Sequence, residues 1–397
     1  MQNIIIDKPY RFIPPLDSRV WPALLRRYAP YYLNRSFGIT QVRCLGAEHL
    51  KRSIGAGHGV LLTPNHCRLC DPFTLYPLIS AAGRPVFMMA SWHIFMQSPL
   101  QRFLLRRAGA FSIYREGMDR LAINAATEIL EQAQRPLVIF PEGVVSRTND
   151  HLNALMEGTA LIARTAAKRR AKANPAGQVV VHPVAIRYHF GGDLESTLAA
   201  VLDEIESRLT WRPQHHLALL ERIYKLGHAL LSLKEIEFIG QAQEGPIYER
   251  LQRLIDHLLV PLETEWLNNH REDTTVARVK RLRTAILPDL VKGDLAEEER
   301  QRRWRQLADV YLAQQLSHYP PDYIRSNPTP ERLLETVERF EEDMTDVSPI
   351  HGPLTATVTI GPAIPVSASS DDLMSQIEQQ LKERLGISQG EPADVST

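Results

Sequence analysis

Gly59-Val60-Leu61-Leu62-Thr63 runs into Asn65-His66-Cys67-Arg68-Leu69-Cys70-Asp71 and then Pro72-Phe73-Thr74-Leu75. An uninterrupted apolar run of this length, closed by a polar corner and followed by a helix start, reads as a buried strand delivering His66 to its end. Similar runs follow or precede it at Gln41-Val42-Arg43-Cys44, Val86-Phe87-Met88-Met89, Leu137-Val138-Ile139-Phe140 and Val179-Val180-Val181. Between them, Pro72 to Ser80, Arg120 to Gln134 and Asn153 to Arg170 carry helix-length patterns. This alternation predicts an α/β fold, a central mostly parallel sheet flanked by helices, with the site built from segments just after the strands.

Past Gly191-Gly192 strand-like runs give way to charged, Leu-rich sequence. One amphipathic helix is marked by Ile247, Leu251, Leu254, Leu258 and Leu262, another by Trp304, Leu307 and Tyr311. Thr329-Pro330 is an N-cap and first-turn pair for a third helix carrying Leu333, Val337 and Phe340. A large all-helical insertion over 195–345 is expected, with no internal repeat. Its basic run Arg278-Val279-Lys280-Arg281-Leu282-Arg283 reads as a solvated helix face, or as a contact for an anionic membrane.

Strand character returns at Leu354 to Ile360, followed by a helix from Ser370 to Leu385. The expected organisation is an N-terminal helical segment (1–40), the α/β core (41–194), the insertion (195–345), a strand and helix rejoining the core (346–387) and a disordered tail (388–397). In the first segment Trp21, Leu24, Leu25, Tyr28 and Tyr32 share a helical face, either packed on the core or lying in a bilayer interface.

Composition narrows the function. The 46 basic and 46 acidic side chains cancel, which argues against a nucleic-acid binder. With 397 residues and 44% hydrophobic content the chain can bury two or three lobes. Three cysteines, Cys44, Cys67 and Cys70, and a polar start at Met1-Gln2-Asn3 point to the cytoplasm. The most apolar segment, Val86 to Met96, falls short of the roughly 20 residues of a spanning helix.

His66 and Asp71 have the types of an oriented general base. The carboxylate takes one imidazole nitrogen and the other accepts a proton from a hydroxyl. Asp71 before Pro72 also reads as a helix start. Cys67-x-x-Cys70 invites a metal reading, but a structural zinc wants four ligands and the only other cysteine is Cys44. No metal is expected, and two small apolar thiols at a helix base are the simpler reading.

The order of motifs resembles the glycerolipid acyltransferase family that includes 1-acylglycerol-3-phosphate acyltransferases. Its Asn-His-x4-Asp block is matched by Asn65, His66 and Asp71, and its second block by Gly109-Ala110-Phe111-Ser112-Ile113-Tyr114-Arg115. The third stands as Phe140-Pro141-Glu142-Gly143 and the fourth as Val181-His182-Pro183-Val184-Ala185-Ile186. The resemblance implies that His66, oriented by Asp71, deprotonates a lipid hydroxyl that attacks an acyl thioester of coenzyme A or acyl carrier protein, with no covalent acyl-enzyme and no further cofactor. It implies Arg115 at an anionic headgroup, Asn65, Glu142 and Gly143 at the substrate, and peripheral contact with a membrane. Where the family continues with Thr-Arg-Ser, this chain has Val144-Val145-Ser146, leaving Arg147 as the substitute; where a basic residue precedes a later glycine, Glu157 stands. One lost charged hydrogen bond costs about 1.5 to 3 kcal/mol, so a phosphate monoester acceptor is expected to be held less firmly unless Arg147 takes over.

Overall fold

The computed structural model of the chain describes residues 8–18, 20–174, 177–345, 347, 350–367, 369 and 371–387; the expected tail at 388–397 lies outside them. The chain divides into two compact units. An α/β unit comprises Phe12–Tyr114, Asp119–Gly192 and the residues from Ile350 onward; a helical unit comprises Asp193–Pro349, Arg115–Met118 and the segment ending at Arg11.

Eight strands form one sheet in the α/β unit: β1 (Ile39–Leu45), β2 (Gly59–Pro64), β3 (Phe87–Ser91), β4 (Ala110–Ile113), β5 (Leu137–Val138), β6 (Val179–Phe190), β7 (Leu354–Ile360) and β8 (Ile364–Val366). Their order is β1-β7-β6-β2-β5-β3-β4, with β8 also on β6. β2 is parallel to both β5 and β6, and β3 to both β4 and β5. The exceptions are β7 and β8, which run antiparallel to β6, and β1, which runs parallel to β7. Every residue of β2 is buried, as a strand covered on both faces requires. A side chain at Gly59 would place its Cβ 2.1 Å from the Leu130 carbonyl, so only glycine lets β2 begin this close to the helix Arg120–Gln132.

β7 inserts between β1 and β6, so the C-terminal strand lies inside the sheet rather than at its edge. Its alternation of buried Leu354, Ala356, Val358 and Ile360 with half-buried threonines is that of a strand with one covered face.

Two helices differ from expectation. The stretch after Asp71 breaks at Leu75 into Asp71–Thr74 and Tyr76–Ala82, with Pro72 and Pro77 each at a helix start. The helix Val20–Phe37 buries Pro22, Ala29 and Leu33, whereas Leu24 and Tyr28 are 55% and 53% exposed, so of the two readings of their face the packed one does not hold for them. With Val20 and Tyr31 they form an outward stripe spaced at helical intervals.

The helical unit contains an internal repeat, where none was expected. In the helices Leu219–Ile239, Ile247–Leu267 and Thr275–Lys292, the fourth position is Arg222, Arg250 and Arg278 at a constant interval, each followed by an apolar residue and then by Leu226, Leu254 and Leu282. Each arginine reaches back to a glutamate near the end of the preceding helix. Arg222 Nε and Nη2 donate to Glu206 at 3.1 and 2.8 Å, Arg250 to Glu235 at 2.9 and 2.6 Å, and Arg278 to Glu263 at 2.7 and 3.0 Å. The same two-point fork therefore closes three successive helix pairs, with every partner buried. The basic run is solvated only in part: Lys280 and Arg281 are exposed, Arg281 pairing with Glu272, whereas Arg278 is buried on Glu263 and Arg283 is buried against Glu116.

Candidate functional site

Because β2 and β5 are parallel neighbours, their C-terminal ends open on the same edge of the sheet, and the backbone pairing continues one step further with Ile139 N–H donating to the Leu62 carbonyl at 3.0 Å. The loops that follow, 65–70 and 139–146, are thereby brought together. The His66 N–H donates to Glu142 Oε1 at 2.7 Å and the Ser146 N–H donates to the His66 carbonyl at 2.7 Å. His66 is fixed from both sides of its backbone.

Its ring lies 4.2 Å from that of Phe140, and its Nδ1 is 2.8 Å from Asp71 Oδ2. The Nε2 makes no hydrogen bond among the described residues, and the side chain keeps 17% of its surface exposed. That is the disposition of a base whose orienting nitrogen is engaged and whose other nitrogen faces outward. Asp71 is wholly buried and surrounded by donors: Oδ2 also accepts the Arg68 N–H at 2.9 Å, and Oδ1 accepts the Tyr188 hydroxyl at 2.5 Å. Its carboxylate thus turns away from the helix it begins, whose first turn receives no side-chain cap.

Tyr188 was not legible as a site residue, since the 117 positions separating it from Asp71 are closed only by the sheet. Burial first, and then the Asp71 charge, raise its phenol well above the ordinary tyrosine range, so it remains a donor. Cys70 Sγ sits 3.4 Å from the same hydroxyl, and burial followed by the neighbouring Asp71 pushes its thiol up to about 12. Cys70 and the equally buried Cys67 pack as apolar groups around Asp71. Among the described residues no set of three or more His, Cys, Asp and Glu side chains is placed to hold a metal ion.

Asn65, expected at the substrate, is instead part of the frame. Its amide donates to the Ile186 carbonyl at 3.1 Å and accepts the Ile186 N–H at 2.7 Å, and it is 1% exposed. Asn149 repeats the pairing two residues along β6, donating to the Tyr188 carbonyl at 2.8 Å and accepting its N–H at 2.7 Å. The two amides act as short edge strands for the end of β6, which fixes Tyr188 under Asp71.

Glu142 is likewise turned inward. It is 1% exposed, accepts from His66 through one oxygen and from the Asn153 N–H at 3.1 Å through the other. Burial pushes its carboxyl up to about 8, the nearby Asp71 adds to the rise, and the two backbone donors offset part of it. Both oxygens are committed to holding loops, so the expected substrate contact is a structural one. Gly143 adopts φ 69°, and a Cβ there would stand 2.3 Å from Met156 Sδ. Arg147, next to Ser146, is half-buried with φ 61°, a left-handed conformation that costs a non-glycine residue of order 1 kcal/mol.

Asn65, His66, Asp71, Glu142, Gly143 and Arg147 therefore share the α/β unit. Arg115 does not: it groups with the helical unit, beside Arg283 and Glu116. Burial and then the Arg283 charge push its guanidinium down to about 10, with Glu116 opposing.

No curated protein matches the chain. The Acyltransferase family model matches residues 41–187, a stretch that runs from β1 through β6 and carries both loops around His66. Over these residues the chain is similar to the Acyltransferase family, a likeness that supports an O-acyltransferase enzyme.

Proposed function

We propose that the protein moves a fatty acyl group from a thioester of coenzyme A or acyl carrier protein to the hydroxyl of a glycerolipid acceptor such as 1-acylglycerol-3-phosphate. The observation that carries this is the His66 ring, tied through Nδ1 to Asp71 with Nε2 unengaged. The acceptor hydroxyl gives its proton to Nε2 as its oxygen bonds to the thioester carbonyl. The tetrahedral intermediate then collapses, the C–S bond breaks, and the imidazolium returns the proton to the leaving thiolate. Within hydrogen-bonding distance of Nε2 no serine or cysteine nucleophile is needed, since the bound hydroxyl is itself the attacking group.

Purified protein given acyl thioesters and a panel of lysolipids should release thiol, and His66→Ala should lower that rate by about two to four orders of magnitude, the usual worth of a positioned base. Equal release by both would overturn the proposal, and liposome binding with no turnover in either would favour a lipid-binding scaffold. Val145 and Glu157, where the family carries basic residues, favour a second acceptor class, a lysophospholipid or a lipid without phosphate. Acceptor competition separates the two: a wide preference for lysophosphatidic acid that Arg147→Ala alone removes would exclude the second.

We place the enzyme on the cytoplasmic face of a membrane as a peripheral protein in phospholipid synthesis. Among the described residues no helix is long and apolar enough to cross a bilayer. The outward stripe Val20, Leu24, Tyr28 and Tyr31 supports a helix lying in the interface instead.

A further inference from the structure

The helical unit sets two arginines around a single acid. Arg283 lies on the buried stripe of the helix Thr275–Lys292, with Val279 one turn before it and Leu287 one turn after, and is 5% exposed. A charge held on such a stripe has lost its water and has to be met inside the protein. Glu116 meets it at one point only: Arg283 Nη2 donates to that carboxylate, while Nε is shielded from solvent and has no hydrogen-bond partner.

Arg115 precedes that acid in the chain and has none of its own. It makes no hydrogen bond or ion pair among the described residues, and it is half-buried, so a solute can still reach its guanidinium. Burial first, and then the Arg283 charge, disfavour its protonated form, and Glu116 does not offset them. Positive charge therefore stands in excess here, and like charges this near repel until an anion joins them. Arginine presents paired donors in a planar fork that matches phosphate oxygens, and the fork of Arg115 is open. A phosphate monoester carries about −1.5 to −2 charges at neutral pH, so it is drawn to that excess more strongly than a singly charged carboxylate or phosphodiester.

We propose that Arg115 and Arg283 together form a site for a phosphate monoester, the headgroup of the lipid acceptor. Arg115 grips the phosphate, and Arg283 supplies the second positive charge beside it. That the phosphate is the acceptor's rests on the acyl transfer proposed above; the anion site itself does not. Arg147, expected to take over the phosphate, belongs to the α/β unit, whereas the arginine that stands by Arg115 comes from the helical insertion. The insertion thereby takes part in choosing the acceptor.

Isothermal titration of the full chain with hexanoyl lysophosphatidic acid, hexanoylglycerol, hexanoyl lysophosphatidylcholine and inorganic phosphate tests it. The monoester should bind about tenfold more tightly than either other lipid. Arg283→Gln should remove most of that advantage, and Arg283→Lys, which keeps the charge, should retain part of it. Arg281→Gln, the same loss of charge from an exposed neighbour paired with Glu272, should leave it unchanged. Glu116→Gln should tighten the monoester about threefold, a direction that the mere loss of a structural ion pair does not give; should Arg283→Gln fail to fold, this variant decides. Equal affinity for the lipids, indifference to Arg283→Gln, an equal loss from Arg281→Gln, or no tightening by Glu116→Gln each overturns the proposal. Inorganic phosphate bound as tightly as the lysolipid would assign the arginines to a free anion and overturn the headgroup. Thiol release in the same samples separates this site from the reaction: Arg283-dependent binding without turnover would sink acyl transfer and leave the site, and turnover with an affinity blind to Arg283 would do the reverse.

Discussion

Tyr188 and Asp71 set how rigidly His66 is aimed. Removing the Tyr188 hydroxyl leaves Asp71 Oδ1 buried without its 2.5 Å donor, while His66 and Arg68 still hold Oδ2. A hydrogen bond to a charged group is worth about 1.5 to 3 kcal/mol. Tyr188→Phe should therefore lower kcat roughly tenfold or more with KM little changed, as steady-state thiol release will show. A fall confined to stability, with kcat intact, would reduce Tyr188 to packing. Glu142 makes a pH prediction. Its carboxyl, ordinarily near 4.5, is raised to about 8, so its contribution to stability is fully present below the unfolded value and is lost as pH rises through about 8. Thermal melts from pH 6 to 10 should show that loss, and Glu142→Gln, which cannot ionise, should flatten it. The pairing of His66 with Asp71 was legible in the sequence because they lie five positions apart on one corner. Tyr188 and Asn149 were not, because their partners are reached across the sheet. Asn65 and Glu142 were read as substrate contacts because their side-chain types suit that role; only burial and geometry reveal that their polar atoms hold backbone.

At the scale of elements, the helical unit rests on its repeated forks. Glu235 is fully buried and held by Arg250 at two points, with a third donor in the Gln243 N–H at 2.9 Å. Burial alone would raise its carboxyl, yet the Arg250 bonds prevail and hold it below the usual range. Its contribution is present above the unfolded carboxyl pKa and lost as pH falls through the lower folded one. Removing one partner of such a pair costs about 3 to 5 kcal/mol, whereas replacing both by apolar residues of similar size is often neutral. Glu235→Ala should lower the unfolding free energy of this unit by that amount, read as an earlier urea midpoint at unchanged slope, and Glu235→Leu with Arg250→Met should restore most of it. Additive losses would mean that the pair is not coupled. The helices were evident from their leucines, and Arg222, Arg250 and Arg278 stood in plain sequence at a constant interval. Their burial was not visible there, because exposure, unlike periodicity, depends on what packs against the helix.

For the molecule as a whole, 46 positive and 46 negative side chains leave no net field to draw it to an anionic surface. The proposed membrane contact therefore rests on a local apolar surface. The helix Val20–Phe37 supplies one, since Val20, Leu24, Tyr28 and Tyr31 are each more than half exposed along a single stripe, and the ring centroids of Tyr28 and Tyr31 lie 5.4 Å apart. Sequence periodicity found a helix here with an apolar face and left open whether Leu24 and Tyr28 pack inward, because the buried Pro22 and small Ala29 carry little hydrophobic signal. Burying one such large side chain is worth about 1.5 to 3 kcal/mol. Leu24→Asp with Tyr28→Asp should therefore weaken sedimentation with vesicles about a hundredfold or more, at a melting temperature near that of the wild type because both positions face solvent. Insertion rather than charge also fixes the salt response: binding to neutral phosphatidylcholine vesicles should persist at high ionic strength, where screening removes attraction between surface charges. Binding that requires anionic lipid and disappears with salt would instead place the contact on a basic patch, and the double variant would then bind as the wild type does.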